Sequence, residues 1–218
     1  MAGADSASLA LPELASAADL GPDAERAADL ARSLRPDLAV GLGDERGRAR
    51  AAELEAAGVP TTLLAPRSAN EILDGVTRLG ALLRRETRAT AVSARIARDV
   101  SHVATLRDGQ PRLVAAWLLA RDPPVVVGGG GLLHELLELG GAENAFHGPL
   151  LERIQTTPDE LSRLEIDVLL DASGEPAPAR DPLRGAGVRL VAVPRELAAL
   201  PALDLVERVE RLHALLYP

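Results

Sequence analysis

The sequence predicts an α/β fold made of two small lobes with parallel-type sheets, joined by a long backbone helix. Three observations predict it. Short aliphatic runs of strand length alternate with amphipathic stretches of helix length, the pattern that builds parallel sheets from helix-strand units. Two distant segments repeat one grammar: a helix, a strand, an acidic loop and a second strand opened by Gly-Val. In the first copy the strands are residues 35–40 and 58–64, and in the second they are 165–170 and 187–193. Between the copies lies helical patterning over residues 68–106, too long for a crossover between neighbouring strands. A chain of 218 residues can supply each of two lobes with its own core. A single doubly wound sheet is the competing architecture.

The first ten residues, MAGADSASLA, are small and polar and read as a disordered arm. Residues 23–34 carry apolar positions at helical spacing, ended by Arg35-Pro36-Asp37. Residues 38–42 read as a short buried strand with Gly43-Asp44-Glu45 as the loop at its carboxyl end. A helix over 48–57 stops at Gly58, and a strand follows over 61–65. Ser68 and Glu71 have capping-box spacing, and Ile72, Val76, Leu79, Leu82 and Leu83 continue at helical intervals, with a break near residues 86–90.

Residues 112–120 read as a strand, Arg121-Asp122-Pro123-Pro124 as a loop and 125–127 as a strand. Glycines 128–131 precede a helix over 132–139, and 140–146 is a turn. Thr157-Pro158-Asp159-Glu160 is a second capping box with Pro at the first helical position. Strands follow over 168–171 and 188–193, and residues 203–216 form an amphipathic terminal helix. The expected organisation is a first lobe over residues 1–67, a bridging helix over 68–106 and a second lobe over 107–202. The terminal helix, 203–218, is expected to pack back on the first lobe.

Composition narrows the function. Hydrophobic residues are 47% and charged residues 26%, an ordinary globular balance. The net charge is −8, which does not suit a polyanion, so nucleic-acid binding is not expected. Cysteine is absent, which removes disulfides, thiolate metal sites and Cys nucleophiles. No run approaches a membrane span of about 20 apolar residues, and residues 1–10 do not read as a signal peptide. The glycine run lacks the ending of a phosphate-binding loop, so close packing is its expected role. No catalytic constellation appears: no Gly-x-Ser-x-Gly elbow, no His-Glu-x-x-His, no Cys/His pair.

Several segments in order resemble the helical-backbone class of substrate-binding proteins of ABC importers. Leu34-Arg35-Pro36-Asp37-Leu38-Ala39-Val40 is similar to that family's strand entry, and Leu54 to Val59 with the following strand to its next unit. Arg121-Asp122-Pro123-Pro124 is similar to the loop after the first strand of its second lobe. The most specific piece is the leucine-rich helix followed by Gly140-Gly141-Ala142-Glu143-Asn144-Ala145-Phe146. Thr157 to Leu161 followed by Ile166-Asp167-Val168-Leu169 matches the last recurring element. The likeness runs from about Leu11 to the end and lies nearest the cobalamin-binding branch. Two departures stand out. The family's opening strand-helix unit is not seen before Leu11, and Trp117, Phe146 and Tyr217 are the only aromatics where such receptors line their clefts with them.

The resemblance implies an extracytoplasmic receptor that captures a metal chelate (a corrinoid first, or haem or a siderophore) between its lobes and delivers it to an ABC permease. It implies no enzyme activity, no cofactor and no membrane insertion. The implied ligand contacts are Gly43, Asp44 and Glu45 of the first lobe and Arg121, Asp122, Pro123, Pro124 and Val125 of the second. The loop His147 to Glu152 and the segment Asp171 to Glu175 also qualify. Ordinary turn formation is the competing role for the acidic and Pro residues among them. His147 is the candidate axial ligand to a chelate metal, imidazole being the commonest metal ligand; a protein-held metal site is not expected. Asp159 is the implied permease-docking carboxylate, and Arg48 stands where the first lobe would carry the equivalent acid. A cytoplasmic enzyme on a two-lobe α/β scaffold and a non-binding interaction domain remain the alternatives.

Overall fold

Short strands and helices alternate along the chain and gather into two units, Met1–Ala65 and Pro66–Pro218. The computed structural model describes residues 3–4, 12–21, 24–106, 108–178, 181, 183, 187–198 and 205–218.

In the first unit, β1 (Gly3–Ala4) pairs in parallel with β2 (Ala18–Asp19), with a 3-10 turn at Pro12–Leu14 between them. The arm expected at the start is thus partly a strand. Gly3 lies so close to Leu20 that a β-carbon there would sit 2.8 Å from its side chain, so a small residue permits the pairing. Met1, Ala2 and residues 5–10 of that arm lie outside the described residues. Helix α1 (Ala24–Leu34) buries Ala27, Ala28 and Ala31 on one stripe; its expected start at Asp23 lies outside the described residues. Strands β3 (Ala39–Leu42) and β4 (Thr61–Leu64) pair in parallel with Ala39 opposite Thr61, connected by α2 (Glu45–Ala56), which buries Ala51. Helix α2 begins three residues earlier than the sequence suggests because Asp44 caps it, accepting from the Gly47 N–H at 2.6 Å.

The second unit opens with two helices over the helical region 68–106. Helix α3 (Ala69–Leu82) starts at the Ser68 cap, and α4 (Glu86–Leu106) follows after a turn. The break expected near residues 86–90 falls slightly earlier, between Leu82 and Glu86. Arg84 takes a left-handed conformation, φ 53°, and the Arg85 N–H donates to the Gly80 carbonyl at 2.7 Å. Gly80 sits against Ala89 with no room for a β-carbon, so the chain turns tightly there.

The sheet of this unit is mixed rather than purely parallel. Its centre is β5 (Leu113–Arg121). On one side run β9 (Val168–Asp171) and β10 (Arg189–Ala192), both parallel to it in order. On the other side, β7 (Ala142–Asn144) pairs in parallel with the start of β5, and β6 (Pro124–Val127) folds back antiparallel on its end. β8 (Arg153–Gln155) then pairs antiparallel with β6. Strand β7 lies where the sequence suggested a turn, and β8 where it suggested no element; three residues are too few to show a period.

Alternation along β5 divides the core. Ala115 and Trp117 face a layer that includes α5 (Leu132–Leu139), through Leu136 and Leu137, and α8 (Leu205–Leu216). Ala116 and Leu118 face Val126, Leu169, Leu183, Val188 and Leu161 of α6 (Pro158–Arg163). Leu197 of α7 (Arg195–Ala198) joins the first layer. Leu205, Val209, Leu212 and Leu216 form the buried stripe of α8, and they share a core with Leu136, Leu137 and Trp117. The terminal helix is thus a layer of the second unit, which corrects the expected return to the first lobe. Its apolar stripe finds a larger aliphatic face there. The Arg189 guanidinium donates to the carbonyls of Leu215 and Leu216, satisfying the end of the helix. The expected start of this helix at Leu203 lies outside the described residues.

Candidate functional site

Arg121, Asp122, Pro123, Pro124 and Val125 form the tip of the β5–β6 hairpin, with Arg121 opposite Pro124. Asp122 and Pro123 are exposed, Val125 is half-buried and Pro124 is buried within the sheet. The Pro124 carbonyl accepts from the Thr156 N–H at 2.9 Å, so this residue serves β6–β8 pairing.

Arg121 and Asp171 were separate candidate contacts. The structure joins them. The Arg121 guanidinium bonds one Asp171 oxygen through Nε at 3.1 Å and again through Nη2, and it donates to Asp181 at 2.9 Å through Nη1. The three side chains are 8%, 7% and 4% exposed. The other Asp171 oxygen accepts from the Ser173 N–H at 3.0 Å and its hydroxyl at 2.6 Å. The other Asp181 oxygen accepts from the Leu183 N–H. Burial works against the charged guanidinium, but its hydrogen bonds to Asp181 and then Asp171, with their charges, outweigh it and hold Arg121 above its ordinary value. Each guanidinium nitrogen and each carboxylate oxygen of this triad has a hydrogen-bond partner within the chain. That corrects the expectation that Arg121 and Asp171 face a ligand: they pin the segment after β9 to the end of β5. Asp181 escaped the sequence reading because its partner lies 60 residues away.

The glycine run acts as a seat for a loop. The N–H groups of Gly128, Gly129 and Gly130 donate to the carbonyls of Glu152, Pro149 and Leu151 at 3.1, 2.9 and 3.0 Å. A β-carbon at any of these three would collide with backbone of the loop, at Leu151, His147 and Leu150 respectively. These amides are spent on carbonyls, so the run packs against chain rather than cradling an anion. Asn144, fully buried, fixes the same corner. Its amide nitrogen donates to the carbonyls of Val127 and Gly128 at 3.2 and 3.1 Å, and its oxygen accepts from the Phe146 N–H at 3.0 Å. The Asn of the Gly-Gly-Ala-Glu-Asn turn is thus a clamp.

What this clamp presents is the loop from His147 to Glu152. His147 is exposed, and its Nδ1 lies 2.9 Å from the Asn144 carbonyl. A carbonyl can only accept, so Nδ1 carries a proton in this bond. No partner of Nε2 occurs among the described residues. Leu150 and Leu151 follow at 79% and 60% exposure. The other histidines are placed otherwise: Nδ1 of His134 faces the Asn144 amide at 3.3 Å, Nδ1 of His213 the Gly140 carbonyl at 2.9 Å, and His102 is exposed on α4.

In the first unit, Gly43, Asp44 and Glu45 form the turn from β3 to α2. The Asp44 carboxylate caps α2, and Arg48 folds back onto the Gly43 carbonyl. Asp159 is exposed in the first turn of α6, behind the capping box that Thr157 and Glu160 complete. Glu160 is held below its ordinary value by the Thr156 hydroxyl first, then by the Thr157 N–H and hydroxyl. Among the described residues no cluster of three or more His, Cys, Asp or Glu side chains is arranged to hold a metal ion. No described helix is long and apolar enough to cross a membrane.

Comparison with known proteins places this geometry. The family described as periplasmic binding protein matches residues 9–181. No curated protein sequence matches the chain. Among solved structures, the chain is similar to an ABC transporter substrate-binding protein from Listeria monocytogenes, with a TM-score of 0.81 and 19% identity over 95% of this chain and 86% of that one. It is similar to the periplasmic vitamin B12-binding protein of Vibrio cholerae, with a TM-score of 0.74 and 15% identity over 97% and 86%. A periplasmic heme-binding protein from Pseudomonas aeruginosa matches with a TM-score of 0.72 and 22% identity over 99% and 84%.

Proposed function

Because this chain belongs to the periplasmic binding protein family, we propose that it is the extracytoplasmic receptor of an ABC importer and captures a metal chelate. The observation that carries the proposal is the family match over residues 9–181. Solved structures of the same fold include proteins described as binding vitamin B12 and heme, and a corrinoid is the first ligand to try. The protein acts by binding and release, without chemistry on its cargo.

The contacts assigned to the second unit are Asp122, Pro123 and Val125 at the hairpin tip and the loop from His147. Both surfaces are exposed and both are braced from behind, one by the Arg121 triad and one by the glycine seat. Bracing of this kind lowers the entropy lost when a ligand is held. Gly43, Asp44 and Glu45 are the corresponding candidates of the first unit. Asp159, exposed and with no partner of its carboxylate among the described residues, is assigned to docking on a basic patch of the permease, by charge complementarity. Arg48 puts the opposite charge on the first unit, so the permease partner is expected to be charge-asymmetric.

A thermal-shift panel of cobalamin, cobinamide, hemin and ferric siderophores tests the reading. A ligand that binds only the native state raises its melting temperature by mass action. A saturable rise with one chelate is the expected result. No rise with any chelate, from a folded full-length sample, rejects the receptor function.

A further inference from the structure

We propose that the tip of the α3–α4 helix pair is a peripheral membrane contact: Leu82 and Leu83 enter the interfacial layer of an anionic phospholipid surface, and Arg78, Arg84, Arg85 and Arg88 hold its headgroup phosphates. The proposal concerns the second unit alone. It goes beyond the receptor reading, which neither requires nor supplies it.

Apolar exposure is the first observation. Residues 81–88 are exposed without interruption, with Leu82 at 47% and Leu83 at 53%. The backbone fixes them there. Gly80 meets Ala89 across the helix pair, and the Arg85 N–H donates to the Gly80 carbonyl at 2.7 Å, so the two leucines ride on a closed turn. An exposed apolar patch rimmed by polar side chains marks a contact surface.

Charge is the second. Residues 78–98 hold six arginines (Arg78, Arg84, Arg85, Arg88, Arg95 and Arg98) against one acid, Glu86, in a chain whose net charge is −8. All six are exposed. The side chains of Arg78, Arg84, Arg85 and Arg88 have no hydrogen-bond or ion-pair partner among the described residues. Elsewhere in the unit, Arg121, Arg189 and Arg195 donate to carboxylates or carbonyls of the chain itself. The backbone adds a third observation. Arg84, with φ 53°, stands just past the end of α3, where glycine is the usual residue. A side chain is disfavoured there, so an arginine at that point has a use for its guanidinium outside the turn.

Together these features select a lipid. A guanidinium binds phosphate through paired N–H donors, and its carbon stem can lie along apolar surface. A phospholipid interface offers phosphate and acyl chain at adjoining depths, which matches two leucines ringed by arginines. An acidic protein patch offers the charge without the apolar layer. Each arginine near an anionic membrane strengthens binding about fivefold. The chain's overall negative charge opposes such a surface, which confines the contact to this tip. The contact is superficial, because no described helix is long and apolar enough to cross a membrane.

Co-sedimentation of the full chain with vesicles of equal parts phosphatidylglycerol and phosphatidylcholine tests the proposal. Saturable binding is expected, and it should vanish on phosphatidylcholine alone and weaken steeply as salt rises from about 50 to 500 mM. Arg84→Gln, Arg85→Gln and Arg88→Gln together are expected to weaken it about a hundredfold. Leu82→Ser with Leu83→Ser is expected to weaken it about tenfold or more at unchanged charge. These positions are exposed, and circular dichroism with the melting temperature checks that each variant folds. Absence of binding to the anionic vesicles, equal binding to phosphatidylcholine alone, or unchanged affinity in either variant overturns the proposal. If vesicles fail while the purified permease retains the chain and releases the arginine variant, the tip is a protein-docking surface and the lipid contact falls. Chelate titration of the same samples keeps the two readings apart. A chain that binds a chelate but not vesicles loses this inference alone, and one that binds vesicles but no chelate loses the receptor reading alone.

Discussion

The two units of the molecule bury apolar surface in opposite styles. Among the described residues of the first, the buried apolar side chains are small: Ala4 of β1, Ala27, Ala28 and Ala31 of α1, Ala51 of α2, and Val59. Its sheets are two strands each, and Val40 and Leu42 of β3 are about half exposed at 48% and 47%. In the second, a six-stranded sheet is buried on both faces, with Trp117, Leu118, Leu169 and Leu170 at its centre. A fully buried leucine contributes roughly 1.5–3 kcal/mol of transfer free energy, and an alanine far less. The difference teaches where precision resides. The second unit can hold loops in fixed positions, and among the described residues the first buries fewer large apolar side chains with which to do so.

Hydrogen exchange is the direct way to break that comparison. Amides of β5 are expected to exchange only through global opening of the second unit, and amides of β3 through smaller openings. Equal protection of the two strands contradicts the contrast. Within the second unit, Trp117→Ala has the largest expected effect, a loss of about 3–5 kcal/mol in denaturant unfolding. Trp117→Phe is expected to cost much less, because the indole N–H has no hydrogen-bond partner to lose. Arg121→Met comes next. It strands Asp171 and Asp181 in a buried site, and removing one partner of such a set costs roughly 3–5 kcal/mol. A near-neutral result by chemical denaturation would show that the triad does not brace the hairpin tip.

Smaller effects sharpen the picture. Thr157→Ala removes the α6 cap and is expected to cost about 1 kcal/mol by the same assay. The capping carboxylate adds a pH signature. Glu160 titrates below its ordinary value of 4.5 when folded. Its stabilisation is therefore complete above that ordinary value and is lost as the pH falls through the lower folded value. Glu160→Gln is expected to flatten that part of the acid limb of a melting-temperature profile, and an unchanged limb contradicts the assignment. The smallest change is expected in the first unit, where Val40→Thr and Leu42→Thr should each stay within about 0.5 kcal/mol. A larger loss at either would mean that this face is covered in solution.

Much of this was readable from the residues. Helix α5 lies at residues 132–139, as its leucine spacing predicts, and the Thr157 capping box forms as written. Long periodic elements declare themselves because one face must be buried. Three kinds of feature were not readable. Strands β7 and β8 span three residues each and exist only because β5 and β6 offer them edges. A helix break was expected near residues 86–90, but its place at Arg84 depends on how closely Gly80 meets Ala89. The candidate site was half legible: the sequence proposed His147 and the hairpin tip as contacts, but could not show that Arg121 and Asp171 are spent on each other. Nor could it show that Leu150 and Leu151 face outward, since an apolar pair in a loop is usually inside.

The central claim is that this chain captures a metal chelate, and calorimetric titration of the full-length protein tests it most directly. Cobinamide, hemin and one ferric siderophore would be titrated in turn. Saturable binding of one of them at about one per chain, with a negative heat-capacity change from buried apolar surface, is the predicted result. Heats of dilution alone for all three, from protein shown to be folded, would contradict it.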